Sequence, residues 1–213
     1  GTVTSGRHST MTALYFGPSE SPLFGYLHRP SGPVRGGVVL CPALSIEGRF
    51  SHSTLVWLGV KFAQEGFMAL RFDYRGTGDS SGVLLDASVP MWIEDVRCGI
   101  AFLRSRLGDT PVHGFGIRTG ANLLRMVTAE CNEVDRVTYL DPVEDGARWT
   151  LTHSRDRSEA PEATSGFAGW KELSERLSGE LRDIAWSAPE CKSDETALFV
   201  STAPLRSEFG SGW

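Results

Sequence analysis

The stretch Phe67–Gly82 reads FMALRFDYRGTGDSSG, a short apolar run that passes directly into a loop rich in glycine and serine. Its first six residues, Phe67–Phe72, carry a single charge, which is typical of a β-strand buried on both faces. The glycines and serines that follow are turn-forming residues and predict a tight loop. In a parallel sheet, such a loop lies at the carboxyl edge, where ligands usually bind.

Strands and helices alternate on both sides of this stretch. The predicted strands are Thr12–Gly17, Leu23–Arg29, Gly37–Cys41, Phe67–Phe72, Val112–Phe115, Val134–Leu140 and Ala197–Val200. The predicted helices are Ser51–Gln64, Pro90–Leu107, Thr119–Ala129 and Lys171–Ile184. This alternation predicts an α/β fold with a mostly parallel sheet and helices on both faces. The first two strands flank a turn at Pro18 and are expected to form an antiparallel pair.

Length and composition indicate one globular domain. The chain has 213 residues, 40% hydrophobic and 22% charged, which suits a single core. We expect residues 1–10 to be a tag or disordered tail and residues 11–213 to form one domain. A lid insertion is expected near residues 143–185, because Ser154–Gly169 is the most polar and Pro/Gly-rich segment.

Charge and cysteine usage exclude several classes of partner. The net charge of −5 argues against nucleic acid as a partner and against anionic membranes. No run of 18 apolar residues is present, so no membrane span is expected. The four cysteines show no CxxC spacing, which predicts reduced thiols, a cytoplasmic location and no structural metal. No cofactor motif is present.

The loop Asp73–Gly82 (DYRGTGDSSG) resembles the loop that follows the fourth strand in the α/β-hydrolase superfamily. Trp92 and Asp95 in the next helix, and Leu140–Val143 (LDPV) after the sixth strand, fit the same pattern. The resemblance covers Thr12 to about Val200. Within the superfamily, the sequence resembles the serine-aminopeptidase-like hydrolases and the hydrolase-like proteins associated with exosortase systems.

The resemblance implies a nucleophile elbow, G-x-S-x-G, and the chain has Gly116-Ile117-Arg118-Thr119-Gly120 at that place. Both glycines are present, but Arg118 stands where the family has its serine. A guanidinium stays protonated and cannot attack a carbonyl. The resemblance therefore predicts the turn, and the residue at its centre excludes an acyl-enzyme formed there.

The other members of the implied triad are also incomplete. The family's histidine follows an eighth strand, whereas the last histidine here is His153, and the eighth strand, final helix and histidine have no counterpart. The loop after the seventh strand holds no acid. Asp141 is the one position that could supply the acid, and a role as a turn residue before Pro142 is equally open.

A binding role is the first of three hypotheses. The resemblance places oxyanion donors at the N–H of Thr119 and near Ala43, and the start of the helix adds positive potential. Arg118, Thr119, Ala43, Leu44 and Ser45 are thus the predicted ligand-binding residues, for a small anionic or acyl molecule. Alternatively, Arg118 pairs with Asp141, Asp73 or Glu47 and fills the pocket.

The remaining hypotheses are a scaffold and an unusual enzyme. A filled pocket would suit a protein partner or a homo-oligomer. Hydrolysis or acyl transfer would need a non-standard nucleophile, for which the candidates are Cys41, Ser45 and Thr119. His52 is expected near the pocket mouth and His113 in a hydrogen-bonded core position. Other side chains have local expectations: an internal ion pair in Asp73-Tyr74-Arg75, and core or lid packing for Trp92, Trp149 and Trp170.

Overall fold

The computed structural model describes residues 9–130, 134–155, 174–184, 186 and 196–198. Seven strands form one sheet in the order β1-β2-β4-β3-β5-β6-β7. They are β1 (Thr10–Phe16), β2 (Leu23–Arg29), β3 (Gly36–Cys41), β4 (Phe67–Phe72), β5 (Val112–Ile117), β6 (Arg136–Leu140) and β7 (Thr196–Leu198). The helices are α1 (Ser45–Gln64), α2 (Val89–Leu107), α3 (Thr119–Glu130), α4 (Gly146–Arg155) and α5 (Glu175–Arg182), with a short 3-10 turn at Leu84–Asp86.

The pairing confirms the predicted fold class. Strand β1 pairs with β2, and β2 with β4, in antiparallel orientation, while β3 pairs in parallel with both β4 and β5. Strands β6 and β7 continue the parallel part. The carboxyl ends of β3, β4, β5 and β6 therefore meet at one edge, which brings the loops that follow them together.

Alternating side chains of the strands pack against two helix layers. Leu70 and Phe72 of β4 join the larger core with α2 and α3, whereas Ala69 faces α1. Trp92 of α2 is fully buried in the larger core, and its indole N–H donates to the carbonyl of Arg75. The predicted core role of Trp92 is thus seen directly. Within the described residues, no helix is long and apolar enough to cross a bilayer.

Several boundaries differ from the sequence prediction. Helix α1 begins at Ser45, six residues before the predicted start, because Leu44 is extended and Ser45 turns the chain at φ 61°. Helix α4 lies inside the segment predicted as a lid insertion and was missed. Strand β1 includes Thr10, the last residue of the predicted tail.

Other predicted elements fall partly outside the described residues. This applies to the start of the Lys171–Ile184 helix, to the end of the Ala197–Val200 strand, to residues 1–8 of the tail, and to most of Ser154–Gly169 with Trp170.

The Asp73–Gly82 loop is held by an ion pair that differs from the predicted one. Arg75 pairs with Asp95 of α2, not with Asp73, and its backbone N–H donates to the same carboxylate at 2.8 Å. The carboxylate of Asp73 instead accepts the N–H of Asp79 at 3.1 Å. The reason is burial: Asp95 is fully buried and needs a cation and donors, whereas Asp73 closes the turn within its own loop.

Candidate functional site

Arg118 lies in the sharp turn between β5 and α3. Its backbone has φ 53°, in the left-handed region that side-chain-bearing residues rarely occupy. Its N–H continues the sheet by donating to the carbonyl of Leu140 at 2.9 Å, and its carbonyl accepts the N–H of Ala121 as the helix begins. This strained strand–turn–helix has the backbone geometry expected of a nucleophile elbow, and we refer to the turn as the elbow.

The two glycines of the elbow permit close backbone contacts. An added Cβ at Gly116 would lie 2.6 Å from the Cα of Ala121. At Gly120 it would lie 2.3 Å from the carbonyl oxygens of both Cys41 and Pro42. The glycine frame is therefore required by the packing of α3 on β3 and β5, whatever residue stands at its centre.

The guanidinium of Arg118 is engaged by two acidic residues. Its Nε and Nη2 donate to Oε1 of Glu47 at 3.0 and 2.9 Å. Its Nη1 donates to the backbone carbonyl of Asp141 at 3.1 Å and lies 3.2 Å from the Oδ2 of that residue. Of the three predicted partners, Glu47 and Asp141 are thus in contact, and the structure gives Arg118 no contact with Asp73.

These contacts also set the protonation of Arg118. Burial alone would lower its pKa, but the hydrogen bonds and negative charges of Glu47 and Asp141 outweigh burial, and the pKa lies above its usual range. The side chain is 27% exposed. Arg118 is a fixed cation at any working pH.

Helix α4 completes the cluster from the other side. The indole N–H of Trp149 donates to Oε2 of Glu47 at 2.9 Å, and Nε2 of His153 lies 3.7 Å from Oε1. The imidazole stacks on the Trp149 ring at 4.3 Å, and its Nδ1 lies 2.8 Å from the Trp149 carbonyl. We call Arg118, Glu47, Asp141, Trp149 and His153 the Arg118 cluster.

The loop after β6 that carries Asp141 is fixed from α3. The Asn122 amide donates to the carbonyl of Val143 and accepts its N–H, both at 2.9 Å. Asp141 itself adopts φ 47°. The candidate acid of the sequence prediction is therefore held rigidly, and it faces Arg118.

Two of the candidate nucleophiles, Thr119 and Cys41, are buried away from solvent beside the elbow. The hydroxyl of Thr119 is fully buried and accepts the N–H of Leu44 at 2.7 Å. Cys41 is fully buried, and burial raises the pKa of its thiol far above neutrality. The Thr119 bond also occupies the N–H of Leu44 in the loop predicted to supply an oxyanion donor.

A cavity of about 390 Å³ lies beside the cluster, on the α1 face of the sheet. Three predicted ligand-binding residues line it, Ala43, Leu44 and Ser45, whereas Arg118 and Thr119 do not. Phe24 and Tyr26 of β2, Arg71 and Asp73 from β4 and its loop, and Leu55 of α1 are among its other walls. The structure thus separates the predicted site into a closed elbow and an open cavity.

The predicted histidines take different places. His52 is exposed on α1 and lines the cavity, as the sequence suggested for the pocket mouth. His113 of β5 packs against the ring of Phe67 in β4, and among the described residues its Nδ1 has no hydrogen-bond partner, so the expected hydrogen bond is not seen at that nitrogen. The reason is that the facing side chain is a phenyl ring.

Sequence reasoning missed the parts of the cluster that come from helices. Glu47 was one of three alternatives, and only the early start of α1 places it in the first turn, facing Arg118. For Trp149 the sequence predicts only core or lid packing, and for His153 it predicts no role. Their i,i+4 spacing puts both rings on one helix face and is the signal that could have paired them. Across the described part of the chain, no group of His, Cys, Asp and Glu is arranged to hold a metal ion.

The chain is similar in structure to several solved hydrolases. An esterase of Pyrococcus furiosus matches with a TM-score of 0.60 at 18% identity, over 80% of this chain and 62% of that one. An α/β serine hydrolase without a lid from Xanthomonas campestris matches with a TM-score of 0.53 at 20% identity, over 62% and 61%. A thermostable carboxyl esterase of Bacillus coagulans matches with a TM-score of 0.53 at 16% identity, over 68% and 49%.

These likenesses define the class of fold. The chain has the α/β-hydrolase fold, as the elbow and the strand order indicate. It spans between about half and three-fifths of the length of the three hydrolases named above. No protein-family model matches the sequence, and no curated protein matches it either.

Proposed function

We propose that this chain is a non-catalytic protein of the α/β-hydrolase fold that binds a small anionic or acyl ligand beside a closed nucleophile elbow. The observation that carries the proposal is the state of Arg118. It stands where the attacking group of a hydrolase would be, and its Nε, Nη1 and Nη2 all donate to Glu47 or Asp141.

Hydrolysis at this elbow would need a nucleophile and a general base. Among the described residues, neither group is positioned at the elbow to act. A protonated guanidinium has no lone pair to donate. The imidazole of the Arg118 cluster, that of His153, has its Nδ1 at a backbone carbonyl and directs its Nε2 at Glu47. A general base must instead reach the proton of the attacking hydroxyl.

The charges around Arg118 disfavour an anionic ligand at the guanidinium itself. The single guanidinium cation of Arg118 already faces the two carboxylates of Glu47 and Asp141, and these carboxylates would repel a further anion. Buried or half-buried charges that are already paired gain little from a further partner. The neighbouring cavity, lined by Ala43, Leu44 and Ser45, is the open space at the same sheet edge.

The test of the non-catalytic assignment is intact-mass spectrometry after exposure to a fluorophosphonate, which modifies activated serines. We expect no mass increase on the folded wild-type chain, while a serine hydrolase treated in parallel is fully labelled. A stoichiometric adduct on the wild-type chain would overturn the proposal. Peptide mapping would then identify the activated residue, with Ser45 and Thr119 as the first positions to inspect.

The Arg118→Ser variant extends the same test. It restores the hydroxyl within an intact glycine frame, so its labelling reports on the base and oxyanion donors alone. We expect no adduct, because the Nε2 of His153, the nitrogen that would have to take the proton, is directed at Glu47, and the Leu44 N–H is occupied by Thr119. Labelling at residue 118 would show that the rest of a catalytic site is intact and would contradict the proposal.

A further inference from the structure

Arg71 lies in the wall of the 390 Å³ cavity and is a buried cation without an acidic partner in contact. It is 8% exposed. Its Nε donates to Nε2 of His28 at 3.1 Å, its Nη2 lies 3.9 Å from the sulfur of Met11, and its guanidinium lies 4.5 Å from the centre of the Tyr26 ring. Within the described part of the chain, no carboxylate forms an ion pair with it.

The groups that contact the Arg71 guanidinium, from His28, Met11 and Tyr26, are not carboxylates. Burial, followed by the charge of Arg71, lowers the pKa of His28 to about 4, so this imidazole is neutral near pH 7. Burial also lowers the pKa of Arg71 itself, and the negative charge of Asp73 offsets this only in part. Buried cations are normally matched by an anion, because removing a charge from water is costly.

The first turn of α1 adds positive potential to the same cavity. Leu44 at the helix N-terminus provides no side-chain cap, and Leu44, Ser45 and Gly48 all line the cavity. The one acidic side chain of that turn, Glu47, is directed at Arg118 and Trp149 instead. Unpaired N–H groups at a helix start favour an anion, here as a second feature beside the buried guanidinium.

The remaining walls are suited to an apolar body. Phe24, Tyr26 and Leu55 line the cavity together with Ala43 and Leu44. A volume of 390 Å³ corresponds to roughly a dozen water-sized groups at about 30 Å³ each. This is the lower end of small-molecule pockets.

From these features we infer that the cavity binds a small organic carboxylate, with its charged group on Arg71 and an aryl or short alkyl body between β2 and α1. The inference rests on the proposed function, which supplies a ligand that is bound and not hydrolysed. It assigns the charge recognition to Arg71, in place of Arg118. Asp73, two residues after Arg71, also lines the cavity, and its negative charge limits the site to ligands of low negative charge.

The test is titration of the folded chain with benzoate, followed by ¹H–¹⁵N NMR and by thermal shift, with benzamide as the uncharged analogue of the same shape. We expect saturable benzoate shifts at residues of β2 and α1 that line the cavity, and at least about tenfold weaker binding of benzamide, because a hydrogen bond to a charged group is lost. This comparison uses only the wild-type chain.

Benzoate titration of two variants then shows which arginine binds the carboxylate. Arg71→Met removes the cation but keeps the length of the side chain, and we expect it to weaken benzoate binding about tenfold or more. Arg97→Met, which removes a surface cation of α2, is the matched control and should leave binding unchanged. Arg71→Lys, which keeps the positive charge, should retain part of the affinity that Arg71→Met loses.

Three results would overturn the inference. Equal affinities for benzoate and benzamide would show that the negative charge of the ligand does not contribute to binding. Loss of binding in Arg118→Met but not in Arg71→Met would move the anion to the elbow, while leaving the proposed function intact. Absence of benzoate and phenylacetate binding at millimolar concentration would leave the cavity without its assigned ligand class, and the fluorophosphonate result would still decide the proposed function.

Discussion

Gly120→Ala is expected to destabilise the chain by at least about 3 kcal/mol, although it adds a single methyl group to a helix. The new Cβ would lie 2.3 Å from the carbonyl oxygens of Cys41 and Pro42, and both of these are backbone atoms at the end of β3. No rotamer change can relieve the overlap, so α3 or the β3 loop must move. Urea denaturation followed by circular dichroism measures the loss.

The matched control is Gly179→Ala in α5. An added Cβ there meets nothing within 4 Å, and the position is helical. Alanine has the higher helix propensity, so we expect a gain of about 0.5–1 kcal/mol. If Gly120→Ala cost less than about 1 kcal/mol, the close contact between α3 and the β3 loop would not exist as described. The elbow itself would then be in doubt.

Asp95→Asn is expected to cost about 3 kcal/mol or more of stability. The carboxylate is fully buried and accepts both the backbone N–H and the Nε–H of Arg75. The same arginine donates to the carbonyl of Met91, and its own carbonyl accepts the Trp92 indole N–H. An amide keeps the shape but loses the charge and directs an NH₂ group at a donor. Urea denaturation again gives the free energy of unfolding.

Glu94→Gln is the matched control for Asp95→Asn. The neighbouring residue forms an exposed ion pair with Arg97, with 55% of the Glu94 side chain accessible, and such pairs contribute about 0–1 kcal/mol. We expect the two variants to differ by at least about 2 kcal/mol. Equal stabilities would show that the Asp73–Gly82 loop is not held to α2 by this carboxylate.

The sheet could be predicted from the sequence because its signals are local. Strands such as Phe67–Phe72 are short apolar runs between turn-forming residues, and their alternation with amphipathic helices leaves few topologies open. Helix α4 was missed because its residues, Gly146–Arg155, contain few apolar side chains, and its position depends on contacts with α5 and with Glu47. Such tertiary contacts are not visible in local periodicity.

The position of the elbow could be predicted from the sequence, but the acidic residues that pair with Arg118 could not. The glycines at 116 and 120 locate the elbow, because the close contacts at this turn leave no room for a side chain at either position. The partners of Arg118 could only be narrowed to three acids, since Glu47 and Asp141 lie 71 and 23 residues away along the chain. Arg71 gave no signal as a cavity residue, because a lone cation in an apolar strand does not reveal which face it occupies.

Closure of the elbow by the ion pair between Arg118 and Glu47 is tested most directly by a double-mutant cycle. The free energies of unfolding of wild type, Arg118→Met, Glu47→Gln and the double variant give the coupling energy between the two side chains. The exposed pair Arg97–Glu130 provides the reference cycle, for which we expect at most about 0.5 kcal/mol. For Arg118 and Glu47 we predict a favourable coupling of about 1–2 kcal/mol, because the pair is half-buried and shares two hydrogen bonds. A coupling no larger than that of the surface pair would mean that the guanidinium is free to turn away, and it would contradict the closed elbow.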